Sequence, residues 1–383
     1  MVFFLANHGI IDLKVLKILM TDYITFVLPT HNEEKNIIPL IKEILSANNN
    51  YSIEIIVVDD NSMDNTQSLV RAFCKTDNRV RLINRLGRYG LSSAICEGCL
   101  NSTGEVIAIM DSDGQHEVKS VYKSISYLLS SDNDLIIGSR FKKGSSISGL
   151  SKQRKKGSII ANYLARITLP INYRHLSDFM SGCCVFKRNS CINYVKLINV
   201  NGFKFLYELL SISSGKLKVN EIPLDFKARI FGSSKLDNAV IWDFIISASH
   251  TLTKRIIPRR AISFGFVGAT GILVHLFVVY FLLEITNLTF FQVLPFAGVS
   301  AASSNFFINN LLTFRNARLR GFELIFGLIK FLLVSSIPLL ANVGLASSFY
   351  QYVSPNKFLS QMAGIIIVFI WNYAASSKFV WKD

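Results

Sequence analysis

Met110-Asp111-Ser112-Asp113-Gly114-Gln115-His116 closes an apolar run, Val106 to Met110, that reads as a buried parallel strand. Asp111 and Asp113 alternate at the carboxyl end of that strand, where open α/β sheets receive their ligands. Two carboxylates and the Gln115 amide oxygen are hard donors, suited to a divalent cation such as Mg or Mn that keeps some of its water. Such a cation is most useful beside a diphosphate, whose charge it neutralises as the leaving group departs. Asp-x-Asp is common in surface turns, so its weight here comes from its surroundings.

Strand and helix alternate around it. Tyr23 to Pro29 is β-branched and aromatic and ends in proline. Glu33 to Ala47 carries Ile37, Leu40, Ile41, Ile44 and Leu45 at helical spacing. Ile53 to Val58 reads as a second buried strand, running into Asp59-Asp60-Asn61-Ser62. A helix is expected from Met63 to Lys75, capped by Ser62 or Asp64. Val80 to Asn84 and Leu135 to Gly138 are short strands, and Gly90 to Leu100 and Val118 to Leu129 are helices. The alternation predicts a parallel sheet with helices on both faces.

The remaining composition is uneven. The 383 residues are 50% hydrophobic and 17% charged, with mean hydropathy +0.36. That is too apolar for an ordinary soluble protein, and long enough for two domains. The net charge of +15 suits nucleic acid, anionic lipid or phosphate substrates. Gly144 to Lys156 is rich in Gly and Ser, and Lys142, Lys143, Lys152, Arg154, Lys155 and Lys156 cluster in and beside it. It is expected to be a mobile loop over a phosphate at a membrane surface. The six cysteines form no disulfide framework. Cys96 and Cys99 in a helix, and Cys183-Cys184 in a strand, read as small buried hydrophobes rather than zinc ligands. Met1 to Leu5 lacks the basic start of a cleavable signal.

From Ala261 onward the chain turns strongly apolar. Four uncharged spans are expected, Ala261 to Leu283, Phe290 to Leu312, Phe331 to Tyr350 and Phe358 to Ala375, each near the ~20 residues that cross a hydrocarbon core. Lys254, Arg255, Arg259 and Arg260 precede the first span. Arg315, Arg318 and Arg320 lie between the second and third, and Lys378 and Lys382 follow the fourth. This bias predicts a multi-pass protein of the cell membrane with its globular domain in the cytoplasm. The basic excess is thereby placed at membrane boundaries and the candidate site, and no nucleic-acid partner is expected. Asn238 to Leu252, with Trp242 near one end, reads as a helix lying in the headgroup region. Asn305 precedes Phe314-Arg315 by the interval at which Asn372 precedes Trp381-Lys382, a hint of two repeated helical hairpins. Asn305, Asn309, Asn342 and Asn372 either glue helices together or line a path, and gluing is the expected role.

Leu28-Pro29-Thr30-His31-Asn32-Glu33-Glu34, Val58-Asp59-Asp60-Asn61-Ser62 with Asp64, Asp111 to His116, and Gly138-Ser139-Arg140 follow in order. Asp178 with Ser181-Gly182, Gly202-Phe203-Lys204 with Glu208, and Arg229 with Gly232-Ser233-Ser234-Lys235 extend the set. Together they resemble an inverting GT-A glycosyltransferase of family 2, of the dolichyl- or polyprenyl-phosphate mannose synthase group. The membrane part resembles the GtrA-like four-span domain that some of these enzymes carry. The resemblance implies a GT-A, Rossmann-like α/β domain followed by an all-α membrane domain. The implied division is an extension at 1–20, the catalytic domain at 21–236, an interfacial helix and basic linker at 237–260, and the membrane domain at 261–383.

The resemblance also implies roles. Pro29, His31, Glu33, Val58 and Asp60 would hold the nucleotide, with His31 standing where the family commonly has tyrosine. Asp113 and Gln115 would ligate the cation, and Asp111 and Ser112 would sit close by against the sugar diphosphate. Arg229 and Lys235 would close over the diphosphate, Arg as a planar fork and Lys as a point charge. Arg140, Arg154 and Ser158 would grip the acceptor's phosphate, and Asp111, Asp113 and Arg140 would carry the catalysis. An exposed position at a helix start is expected for His116. The implied donor is GDP-mannose and the acceptor dolichyl or polyprenyl phosphate, with UDP-glucose the nearest alternative donor. The membrane domain is expected to be an anchor and oligomerisation unit, with lipid-linked-sugar flippase activity the alternative.

Overall fold

The computed structural model describes residues 22–47, 50–87, 90–146, 152–198, 204–227, 238–353 and 356–381. The chain divides between Leu252 and Thr253 into two units. Among the described residues the first holds one sheet of seven strands, β1 (Tyr23–Thr30), β2 (Ser52–Asp59), β3 (Val80–Asn84), β4 (Val106–Ile109), β5 (Leu135–Ser139), β6 (Cys184–Lys187) and β7 (Val219–Pro223), in the order β3-β2-β1-β4-β6-β5-β7. Strands β1 to β4 are parallel to one another, as are β5 and β7.

Strand β6 runs antiparallel to both β4 and β5, which corrects the all-parallel expectation. Residue pattern marks Cys183-Cys184 as strand but carries no direction; direction is set by the connection that delivers the strand. The reversal has a consequence for position. Cys184, the first residue of β6, pairs with Ile109, the last residue of β4. Residues 178–182 therefore arrive at the carboxyl end of the sheet, beside the acidic turn.

The helices of this unit are α1 (Ile37–Ala47), α2 (Thr66–Cys74), α3 (Leu91–Leu100), α4 (Val118–Ser130), α5 (Lys152–Thr168), α6 (Arg188–Val195), α7 (Phe205–Ser213) and α8 (Asn238–Leu252). Alternate strand residues feed two cores, one per face. Phe26, Leu28, Val57 and Met110 pack with Ile41 of α1 and Val121 and Ile125 of α4. Val27, Ile56, Val58 and Ile109 pack with Ala94, Cys96 and Cys99 of α3 and with Tyr207 and Phe244. Helix α8 joins this second core: Phe244 meets the Tyr207 ring edge-on at 5.4 Å, and Ser211 shares a 2.9 Å hydrogen bond with Thr251. Ile241 and Leu252 of the same helix remain exposed.

Lys152–Thr168 is helical, so the expected basic loop does not extend over residues 152–156. Lys, Gln and Arg are good helix formers, and they outweigh the Gly/Ser-rich stretch before them. Residues 147–151 lie outside the described residues.

Among the described residues the second unit has four α-helices, α9 (Arg259–Ile285), α10 (Phe290–Ile308), α11 (Phe322–Tyr352) and α12 (Lys357–Phe379). The most apolar window of α9 has mean hydropathy 2.3, and Leu273 and Phe277 on it are exposed. Helix α11 begins at Phe322, earlier than the expected span. A π-helical turn, Asn309–Thr313, extends α10. An aromatic cluster of Phe264, Phe306, Phe314, Phe331 and Trp381 packs these elements together.

Helix α3 approaches the sheet closely at Gly98, where an added Cβ would lie 3.0 Å from Val58 and closer still to Val27. Gly98→Ala is expected to cost about 1–3 kcal/mol by overpacking. Denaturant unfolding of the full chain measures it, and an unchanged midpoint would contradict the packing described.

Candidate active site

The carboxyl ends of β1, β2, β4 and β5 surround a cavity of about 290 Å³. Pro29, His31 and Glu33 line it from beyond β1, Asp60 from beyond β2, Asp111, Ser112, Asp113 and Gln115 from beyond β4, and Arg140 from beyond β5. Nine residues expected at the site thus meet in one cleft. Val58 stands apart: its side chain is buried in the core beneath α3.

Two left-handed asparagines shape the side of the cleft beyond β1 and β2. Asn32 and Asn61 have φ of 56° and 60°, a conformation asparagine tolerates better than most residues. Asn32 donates from its backbone N–H to Ser62 Oγ at 2.8 Å, and its Oδ1 accepts from Met63 N–H at 2.8 Å. Ser62 in turn donates to the fully buried Asp59 carboxylate at 2.5 Å. Asp64 accepts from Glu34 N–H at 3.2 Å and from Thr66 N–H at 3.0 Å. Ser62 and Asp64 therefore tie the two loops together, and the N-cap of α2 is Asn65. Asp60 accepts from Arg85 Nη1 at 2.8 Å and from Gly90 N–H at 2.9 Å. It secures the entrance to α3 while facing the cleft.

The acidic turn is held from several sides. Ser112 Oγ donates to the Pro29 carbonyl at 2.8 Å. Asp113 Oδ1 accepts from Gln115 N–H at 3.1 Å, and Gln115 Nε2 donates to the Lys227 carbonyl at 3.1 Å. That last bond turns the Gln115 amide oxygen the other way. His116 is only 3% exposed, which corrects the expected surface position. Its Nδ1 accepts from Asp111 N–H at 3.2 Å, and its ring meets Phe226 at 5.4 Å. Burial pushes the Asp111 carboxyl above its ordinary range; Asp113 adds to the rise, while His116, Lys204 and Arg140 counter it. Asp111, Asp113 and the Gln115 amide are oxygen donors that fit a hard cation drawing its other ligands from phosphate and water. Among the described residues no group of three His, Cys, Asp or Glu side chains converges, so the site offers no all-protein cage.

Arg140 has a partner whose role the motifs did not announce. Asp178 accepts from Arg140 Nε at 2.7 Å, from Nη2 at 2.8 Å and from the backbone N–H at 3.1 Å. Burial works against both charges, yet each offsets it for the other: the Asp178 carboxyl lies below its ordinary range and the Arg140 guanidinium above. Asp178 is positioned in turn by Glu221, which accepts from the N–H groups of Ser177 and Asp178 at 2.8 Å each. The guanidinium also lies 5.6 Å from the centres of the Phe141 and Phe226 rings. Gly182 completes the arrangement, because a Cβ there would fall 2.8 Å from Asp111 Cγ.

Arg154 lies on α5, within the described backbone but with its side chain outside the described residues. Ser158, one turn further on, is half-buried, and its Oγ has no hydrogen-bond partner among the described residues. It is not part of the cleft lining. Arg229 and Lys235 fall outside the described residues.

Asp178→Asn would strand a buried guanidinium, a change that costs about 3–5 kcal/mol. Because the folded pKa lies below the unfolded value of 3.8, the wild-type stabilisation is present above that pH and fades as pH falls through the folded pKa. The gap between wild type and Asp178→Asn in denaturant unfolding should therefore be wide at pH 7 and narrow towards pH 3. A constant gap would contradict the assignment.

Residues 25–195 match the model of glycosyl transferase family 2, and residues 263–381 match that of the GtrA/DPMS transmembrane domain. A dolichol-phosphate mannosyltransferase of Pyrococcus furiosus is 29% identical over 358 residues, 94% of this chain and 99% of that one. A protein of the same name from Mycosarcoma maydis is 29% identical over 260 residues, 66% of this chain and 84% of that one. A dolichyl-phosphate β-glucosyltransferase of Trichomonas vaginalis is 30% identical over 227 residues, 56% of this chain and 66% of that one. With the strand-end cleft and the helical second unit, these matches give the chain a glycosyl transferase family 2 domain of GT-A fold followed by a GtrA/DPMS transmembrane domain.

Proposed function

We propose that the chain transfers mannose from GDP-mannose to dolichyl or a related polyprenyl phosphate at the cytoplasmic face of the membrane, with inversion. The observation that carries this reading is the cleft, where the acidic turn and a clamped arginine face each other across the ends of β4 and β5. Such a site is built to hold anions rather than to make a nucleophile. A phosphate monoester has a second pKa near ~6 and is largely a dianion at neutral pH, so it attacks without a general base. One of its oxygens bonds to the anomeric carbon as the bond to the nucleoside diphosphate breaks. Attack from the face opposite the leaving group inverts that carbon.

The residues then divide the work. Pro29, His31, Glu33 and Asp60 cradle the nucleotide, and Arg140 faces the meeting point of the two anions, where a fixed positive charge is most effective in a water-poor site. Arg154 and Ser158 take the acceptor's phosphate, and Arg229 and Lys235 the donor diphosphate. A divalent cation, Mg or Mn, held by Asp113 and Gln115 with Asp111 beside it would neutralise the leaving diphosphate.

The outer side of α5 supports a lipid acceptor. Ile159, Ile160, Tyr163, Leu164 and Ile167 are exposed along it, while Asn162 and Ala165 face inward. Lys155 and Lys156 extend into solvent at its start. Exposed apolar residues flanked by bases suit an anionic bilayer surface. The mannosyltransferase from Pyrococcus furiosus, which this chain matches along nearly its whole length, favours mannose. The Trichomonas vaginalis relative supports a second reading, glucose from UDP-glucose.

Membranes containing the full chain should be incubated with labelled GDP-mannose or UDP-glucose, with Mg²⁺, Mn²⁺ or EDTA, and the lipid extracted. Label is expected in lipid from GDP-mannose with metal and is expected to vanish with EDTA. Transfer from UDP-glucose alone would replace the first reading by the second. Transfer from neither would overturn both.

A further inference from the structure

Two buried arginine–carboxylate pairs flank the cleft, and they face it in opposite senses. In one, Arg140 lines the cleft and Asp178 stands behind it. In the other, Asp60 lines the cleft and Arg85, which is not among the lining residues, stands behind. The side chains of Arg85 and Asp60 are each only 7% exposed. A buried ion pair contributes little stability beyond what apolar residues of the same volume would give, whereas removing one member strands the other. The first pair presents a cation to the cleft. The second presents an acceptor.

Arg85 follows β3 directly, and its backbone N–H donates to the Asp59 carbonyl at 3.1 Å. Its guanidinium is fixed by α3: Nε lies 3.0 Å from Glu97 Oε2, and Nη2 donates to Ser93 Oγ. Ser93 and Glu97 are about one turn apart on that helix, so one planar fork reaches both. With Nε and Nη2 held by the helix, Nη1 is delivered to Asp60 Oδ1, 2.8 Å away. The orientation of the arginine is therefore set by α3 and imposed on Asp60, not the reverse.

Asp60 is clamped in turn. Its Oδ2 accepts from Gly90 N–H at 2.9 Å, and its own backbone N–H donates to the Thr30 carbonyl at 2.8 Å. Gly90 stands immediately before α3 with φ of 93°, a conformation other residues seldom adopt. One carboxylate oxygen is thus set by the guanidinium and the other by the entrance to α3. Together they fix the plane of the carboxylate in the cleft wall.

That plane has a use only for a ligand that donates. An ionised carboxylate accepts hydrogen bonds and gives none. Diphosphate oxygens are acceptors too, so Asp60 offers nothing to that end of a donor molecule. The nucleoside end is the reverse, since its base edge and ribose carry N–H and O–H groups. A carboxylate buried in a wall needs a counter-charge, and Arg85 supplies it from behind without competing for the cleft. Glu97, on the far side of Arg85, is half-exposed, and water screens its charge. Hydrogen bonds to a charged acceptor are the stronger kind, and alignment before binding removes the cost of ordering it afterwards.

Given the reading of the cleft as a nucleotide-sugar site, we infer that Arg85 is a positioning residue for nucleoside recognition. It holds the Asp60 carboxylate in line to accept from the base or ribose of the donor, and it touches neither itself.

The test measures binding to the full chain in lipid nanodiscs by calorimetry, with Mg²⁺ present and without acceptor or turnover. GDP and UDP report the whole nucleotide site, and inorganic pyrophosphate reports its phosphate end. Arg85→Met keeps side-chain length and removes the fork. It is expected to weaken the better-binding nucleotide at least tenfold and pyrophosphate less than threefold. Asp60→Ala, in which Arg85 keeps Glu97 as counter-charge, is expected to show a comparable selective loss. Adding Arg85→Met to Asp60→Ala should then change nucleotide affinity less than threefold, because a residue acting through Asp60 has nothing left to act on. Wild-type nucleotide affinity in Arg85→Met, equal losses of nucleotide and pyrophosphate, or a further tenfold loss in the double variant would each overturn the inference. If Arg85→Met does not fold, Arg85→Lys decides, since it keeps the charge but cannot hold Asp60 and α3 together. A severalfold loss confined to the nucleotide supports the inference there, and unchanged or uniformly weakened binding overturns it. Failure of the wild type to bind either nucleotide would overturn the transferase reading and this inference with it. Nucleotide binding by the wild type with no selective loss in the variants overturns this inference alone.

Discussion

A guanidinium buried beside two carboxylates has to be given a counter-charge that is not one of them, or it would pair with the acidic turn itself. Asp178 meets that need, taking Arg140 in a two-pronged bond at 2.7 and 2.8 Å. Its burial makes the pair mutually dependent, since either charge alone would be left without water or partner. Asp178 can reach Arg140 because β6 is reversed, with Cys184 against the last residue of β4. Glu221 at the edge of the sheet then holds Asp178 through two backbone N–H groups. The direction of one strand thus determines whether the arginine can face the acidic turn at all.

Local pattern revealed the strands β1 to β5 and the motifs at their ends, because buried parallel strands are short apolar runs with punctuated termini. It was the family resemblance, rather than the pattern, that named the nine expected residues now found lining the cleft. What local pattern could not supply was non-local. Asp178 is 38 residues from Arg140, and no periodicity links them. His116 looked like an exposed helix start, yet Phe226, paired with it in an isolated antiparallel bridge, covers it. Helix α5 was hidden by its chemistry: a basic start beside a Gly/Ser-rich stretch, then apolar residues turned outward, the reverse of the usual amphipathic order. Strand direction likewise belongs to the connection rather than to Cys183-Cys184.

In the second unit the informative contrast is between Asn310, with its amide groups paired, and the cavity-lining Asn305, Asn309 and Asn372, whose amide oxygens have no donor among the described residues. Sequence treats all asparagines in apolar helices alike; only packing separates the helix tie from the wall of a cavity. Gly271 makes the room for one of them, since a Cβ there would lie 2.5 Å from the Asn305 amide nitrogen.

The account stands on Asp113 serving the donor diphosphate opposite Arg140. Asp113→Asn keeps the shape of the side chain and its bond from Gln115 N–H while removing the charge. Its rate of lipid-linked sugar synthesis in membranes, with folding verified by an unchanged melting temperature, measures that claim most directly. A fall of about 10²–10³-fold is predicted, the scale on which a lost electrostatic contact to a transition state is felt. Synthesis within a few-fold of wild type in the folded variant would contradict it.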